Sequence, residues 1–180
     1  MAGIQELLSS PESAGVWRVV PDQSTIAFKS KSLWGLVPVK GKFDEFSGDG
    51  QIGGGQTVFG RIDVKTASLG TGIRKRDEHL RSADFFEVEK YPDTSVVITS
   101  AEPVDGDTVD LRAQLTVKDT TKPLPLRAAV TVLGDGAVRL AAQATINRND
   151  FGVDGNMAGM ITENVTISGD VLFRRVQPSP

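Results

Sequence analysis

Apolar and polar residues alternate with period two along most of this chain. Val109-Asp110-Leu111-Arg112-Ala113-Gln114-Leu115-Thr116-Val117 sets five apolar side chains against four polar ones, the pattern of a half-buried β-strand. The alternation returns at Leu124, Leu126, Ala128, Val130 and Val132, and again at Val138, Leu140, Ala142, Ala144 and Ile146. A fourth run is Val165, Ile167, Gly169, Val171 and Phe173. Noisier strands are predicted over 24–31, 36–43, 57–65 and 94–101, which makes eight, with a ninth candidate at Trp17-Arg18-Val19-Val20. Gly134-Asp135-Gly136 is a tight hairpin signal, while Gly48-Asp49-Gly50 and Pro103-Val104-Asp105-Gly106-Asp107 read as breaks. One apolar and one polar face is the signature of an antiparallel sheet wet on one side. Eight such strands either pair as a sandwich or close as a barrel.

Two segments leave this pattern. Residues 4–8 suit a short helix with Ile4, Leu7 and Leu8 on one side. Residues 71–81 suit another, with Thr71 as its cap and the pairs Arg74–Glu78 and Asp77–Arg81 spaced i,i+4. The connection from 66 to about 93 is too long for a hairpin, and such loops usually act as lids or carry function. The expected organisation is an N-terminal extension over 1–16 and one domain over 17–176.

Composition narrows the chemistry. The net charge is −3 and the pI about 5.2, which argues against a nucleic-acid partner. There is no cysteine, so disulfides, thiolate metal sites and thiol nucleophiles are excluded. His79 is the only histidine, so a multi-histidine metal site is excluded too. The stretch Met1–Leu8 has neither a basic start nor a long apolar run, and a cytoplasmic location is expected.

The inward faces are rich in small residues: Gly41, Gly60, Ala113, Ala128, Ala142, Ala144 and Gly169. Two readings stand. Small residues leave volume, and an eight-stranded barrel is wide enough for one small ligand. Alternatively, Phe28, Phe43 and Phe46 fill the space opposite them. Phe85-Phe86 and the glycine-rich loop with Phe151, Met157, Met160 and Ile161 suit either a plug or a cavity mouth.

In order along residues 17–174, Trp17 is followed by Pro21-Asp22-Gln23-Ser24-Thr25-Ile26-Ala27-Phe28 and Val39-Lys40-Gly41-Lys42-Phe43. Then come Ser68-Leu69-Gly70-Thr71-Gly72, the stretch from Arg76-Asp77-Glu78-His79-Leu80-Arg81 to Phe86, and Tyr91-Pro92. Leu115-Thr116-Val117, Thr121-Lys122-Pro123-Leu124 and Arg148-Asn149-Asp150-Phe151-Gly152 complete the series. Together these resemble the YceI-like family of lipocalin-like, polyisoprenoid-binding proteins. Two positions depart from it: Ser32 stands where a histidine is common, and Asp119 where a turn glycine is common.

The resemblance implies an all-β fold, an antiparallel eight-stranded lipocalin-like barrel with one short helix in a long connection. It implies a homodimer and a bound isoprenoid lipid. Carriage of such a lipid adds transient membrane contact as an expectation, and no other cofactor and no metal are expected. The lining residues expected of such a barrel are Phe28, Trp34, Leu36, Phe43, Ile62, Leu80, Phe85, Phe86, Leu111, Ala113, Leu115, Ala142, Ala144, Met157, Met160 and Ile167. Arg76 and Arg81 are the candidates for an anionic headgroup, since guanidinium forks match phosphate. The bland alternative has Arg76 and Asp77 bonding backbone to hold the long connection, and Arg148 and Asp150 pairing to close a barrel end.

The expected function is non-enzymatic binding and carriage or storage of a polyprenyl or quinone-like chain. The alternatives are a filled interaction barrel, or an enzyme using Asp77, Glu78, Asp84 or Asp150 as acid or base. No nucleophile–base constellation and no phosphate-binding loop accompanies those acids.

Overall fold

The computed structural model describes residues 3–155 and 160–177. Strands β1 (Gly15–Val19), β2 (Thr25–Ser32), β3 (Val37–Phe43), β4 (Phe46–Ile52), β5 (Val58–Lys65) and β6 (Leu69–Gly70) precede the long connection. After it come β7 (Asp93–Asp105), β8 (Thr108–Val117), β9 (Thr120–Pro123), β10 (Leu126–Val132), β11 (Val138–Asn147) and β12 (Asn164–Arg175). All are joined in one antiparallel sheet of 12 strands.

Those pieces make eight staves, because four staves are interrupted. β12 pairs with β1 at its Phe173 end and with β2 over Thr166–Asp170, so β1 and β2 are two halves of one stave. β4 and β3 lie beside those halves, and β5 and β6 beside β4 and β3. β9 and β10 both pair with β8, in a single register. The β12–β1 pairing closes the circle, giving the expected antiparallel eight-stranded barrel in up-and-down order.

The interruptions have local causes. At Pro21–Gln23 the chain turns out of the ladder, and the Ser24 hydroxyl accepts from the Leu172 N–H at 2.9 Å, so the gap leaves no orphan donor. At Leu124-Pro125 the proline has no N–H to give, yet Leu124 still donates to the Ala113 carbonyl at 2.8 Å and the register holds.

Several details differ from the sequence reading. Gly48-Asp49-Gly50 is the middle of β4, not a break. A β-carbon at Gly48 would press on Val19 and Ile62, so glycine is what lets the neighbouring strand side chains meet there. β7 runs on through Pro103 to Asp105, with bulges at Ile98/Ser100 and Pro103/Asp105 absorbing the mismatch. The left-handed residue of the β8–β9 turn is Lys118 (φ 57°), not Asp119. The hairpin at Gly134–Gly136 is as expected, with Gly136 at φ 86°.

The two ends of the barrel differ. At one end helix α1 (Ile4–Ser9) buries Ile4, Leu7 and Leu8 in a core with Trp17, Val109, Ala128 and Val130. Residues 4–8 are therefore helical, and they plug that end. At the other end lie helix α2 (Arg74–Arg81) and the described residues of the segment between β11 and β12, 148–155 and 160–163.

Candidate functional site

The predicted inward faces do point inward, but they do not meet the same surroundings. On β8, Val109, Leu111, Ala113, Leu115 and Val117 are all buried. On β11, Leu140, Ala142, Ala144 and Ile146 are only half-buried, although they too face the interior. For Leu140, Ala142 and Ile146 the reason is a cavity of about 960 Å³ that opens beside α2 and is walled mainly by apolar side chains.

The cavity lining includes Phe28, Phe43, Ile62, Leu80, Phe85, Phe86, Leu111, Leu115, Ala142, Met160 and Ile167 from the expected set. Ala113 and Ala144 are not part of it; Ala113 is packed inside the core and Ala144 against it. Trp34 and Leu36 sit in the β2–β3 turn with 67% and 81% of their surface exposed, outside the lining. Met157 lies outside the described residues. The lining also takes in Ile26, Val96, Ile98, Leu126, Leu140, Ile146 and Val165, which the same alternation places on the inward face.

The phenylalanines do not fill the space. Phe28 and Phe43 tilt against each other at 5.5 Å between ring centroids, and Phe85 stacks edge-on with His79 at 5.0 Å. His79 Nε2 lies 2.9 Å from Asp84 Oδ2.

The arginines at the mouth are occupied by the chain itself. Arg76 lines the cavity, but its Nε donates to Thr71 Oγ1 at 2.7 Å and its Nη2 to the Thr71 carbonyl at 2.9 Å. Thr71 in turn donates its N–H and hydroxyl to the buried carboxylate of Asp77. Thr71 is therefore not a cap for α2, whose N-cap position is Ile73. Arg81 donates to the carbonyls of Ala67 and Leu69 at 2.8 and 2.7 Å, so it does not pair with Asp77 and lies outside the cavity lining. The Arg74–Glu78 pair is present at 3.1 Å.

Arg148 is a buried polar residue of the lining that the alternation did not single out. Its buried guanidinium donates to the carbonyls of Thr162, Val153, Gly155 and Ile161 at 2.7 to 3.2 Å. It gathers the β11–β12 segment into the cavity wall, and Asp150, exposed, is not its partner. Burial pushes this guanidinium below its ordinary pKa, partly offset by Glu163 and Asp154. Gly155 packs against the Asp84 carbonyl with no room for a side chain, which fastens this segment to the long connection.

Among the described residues, no three His, Asp or Glu side chains converge as metal ligands do. The site is an apolar pocket whose mouth is held by guanidinium–carbonyl bonds. It can take an apolar chain by burial, and its main-chain bonds fix its shape.

Known proteins with this architecture are found by both sequence and structure. A UPF0312 protein of Pseudomonas putida is 36% identical over 137 residues, covering 72% of this chain and 71% of its own. One from Pseudomonas syringae pv. tomato is 30% identical over 180 residues, covering 95% and 92%. Among solved structures, Burkholderia cenocepacia BcnA superposes with a TM-score of 0.78 at 20% identity, over 86% of this chain and 98% of that one. A polyisoprenoid binding domain from Saccharophagus degradans gives 0.76 at 19% identity, over 89% and 98%. At those identities the structures share the fold. The YceI-like domain model matches residues 17–173, from the first stave to the last, and with that span the chain belongs to the YceI-like family.

Proposed function

We propose that this protein binds and carries, or stores, a long isoprenoid-type lipid, polyprenyl or quinone-like, without chemically changing it. The observation that carries the reading is the uncovered apolar wall of β11 and β12 facing a cavity of about 960 Å³. That volume is near the upper end of ordinary small-molecule pockets, roughly 300–1,000 Å³. A filled interaction barrel would leave no such space.

Each methylene moved from water into the cavity contributes about 0.8 kcal/mol. Strand side chains supply that contact at every depth without directional chemistry, so chain length is selected more strongly than headgroup. Association and ordering costs subtract from the sum. The structural neighbour from Saccharophagus degradans is named for polyisoprenoid binding, which supports the same ligand class here. Three of the four acids considered for catalysis have structural partners: Asp77 holds Thr71, Glu78 pairs with Arg74 and Asp84 with His79.

Native mass spectrometry of the purified protein, with solvent extraction of whatever it releases, tests the proposal. A stoichiometric apolar molecule with an isoprenoid mass ladder is the expected result. A protein that stays free of ligand after incubation with prenols and quinones would overturn it.

A further inference from the structure

The β2–β3 turn carries a feature that the cavity does not use. Leu33 and Trp34 both adopt left-handed backbone (φ 49° and 55°) ahead of Gly35 (φ 91°), a conformation that non-glycine residues keep only where their surroundings impose it. Hydrogen bonds hold it: the Trp34 N–H donates to the Met160 carbonyl at 3.1 Å, and the Gly35 N–H to that of Ser32 at 3.2 Å. The result is an apolar tip in water, with Trp34 67% and Leu36 81% exposed. It stands at the cavity end of the barrel, since Ser32 and Met160 both line the cavity, and Ile73 on the same rim is exposed too.

The stem beneath this tip is basic. Between Gln23 and Phe43 the chain has Lys29, Lys31, Lys40 and Lys42 and no acidic residue, on a protein whose net charge is −3. Lys29 and Lys40 are register partners, a like-charge pairing that weakens the sheet unless something compensates it. Lys42 has Asp44 at 3.9 Å. Among the described residues no carboxylate stands within 4.0 Å of Lys29, Lys31, Lys40 or Lys75. An exposed tryptophan and leucine at the tip of a stem that carries cations match the two halves of a lipid interface, apolar below and anionic above. A second copy docking by the same patch would set basic stem against basic stem.

We infer that this tip docks the cavity mouth onto an anionic lipid bilayer, with Trp34 and Leu36 entering the headgroup region and the lysines facing lipid phosphates. The inference goes beyond lipid carriage and does not depend on an occupied cavity.

Two tryptophans are present, and Trp17 is buried with its indole N–H on the Ser13 carbonyl at 2.9 Å, so Trp34 reports the tip. The test mixes full-length protein, as purified and after lipid extraction, with vesicles of phosphatidylcholine alone or doped with phosphatidylglycerol. A blue shift and protection from acrylamide are expected with the doped vesicles and fade with salt. Trp34→Ala abolishes the spectral change, and Leu36→Asp lowers flotation with the vesicles. Lys29→Gln and Lys40→Gln each weaken binding about fivefold. No shift with doped vesicles, or equal binding to both kinds, would overturn the inference. So would shielding of Trp34 that grows with protein concentration in vesicle-free buffer, which would assign the tip to a second copy.

Discussion

Phe28 on β2 lies over Gly41, its register partner on β3, so closely that a β-carbon on Gly41 would collide with the ring's Cζ. The glycine is therefore the seat of Phe28 and adds no room for a ligand. An aromatic side chain laid over a strand glycine restores the packing that the glycine lacks.

Gly41→Ala should force that ring aside and cost about 1–3 kcal/mol, the usual range for overpacking. In a Phe28→Ala background the same change should cost much less. A double-mutant cycle in urea measures the coupling, expected at about 0.5–3 kcal/mol for residues in contact. Additive effects would mean that the ring does not rest on Gly41.

Ala128 and Ala142 are register partners on β10 and β11, yet Ala128 is fully buried while Ala142 lines the cavity. Ala142→Phe should change stability by less than about 1 kcal/mol, because the ring has empty space to enter. It should also abolish uptake of a fluorescent apolar probe. Ala128→Phe should cost at least about 1–3 kcal/mol, because its site is full. Equilibrium unfolding and probe titration of the two variants side by side distinguish a cavity from a packed core.

Removing the Arg148 guanidinium leaves the carbonyls it serves without a donor. Arg148→Gln should lose about 3 kcal/mol or more, since each unsatisfied buried group costs about 1–3 kcal/mol. Arg148→Lys should not rescue it, because one ammonium cannot reproduce a planar fork. Faster proteolytic nicking of the β11–β12 segment, followed by mass spectrometry, is the accompanying readout.

Asp135 gives the protein an acid-sensitive hairpin. Its carboxylate accepts from the Ala137 N–H at 3.1 Å and pairs with Arg174 at 2.9 Å, and these hold it below its ordinary 3.8. Because the folded value lies below the unfolded one, the stabilisation is present above the ordinary value and is lost as pH falls through the folded value. Asp135→Asn should melt at a lower temperature than the parent at neutral pH, and the gap should close in strong acid. Melting curves from pH 7 down to about 2.5 check this; a gap that widens on acidification contradicts it.

Which residues face inward was legible along the chain, because strand side chains alternate by geometry and need no distant partner. The antiparallel strands and the helix at 4–8 followed from the same local periodicity, which left sandwich and barrel both open; the resemblance carried the barrel and the ligand class. Tertiary structure alone decided where staves break, which end closes and where the interior is left empty. Gly48 reads as a break until Val19 and Ile62 are seen against it. Arg76 and Arg81 read in sequence as headgroup candidates, with backbone bonding the alternative for Arg76, and only the fold shows which carbonyls they serve. Ala128 and Ala142 share one pattern, face and register, and only the rest of the fold puts protein against one and open space against the other. Alternation is a property of neighbouring residues, whereas enclosed volume depends on staves far apart in the chain.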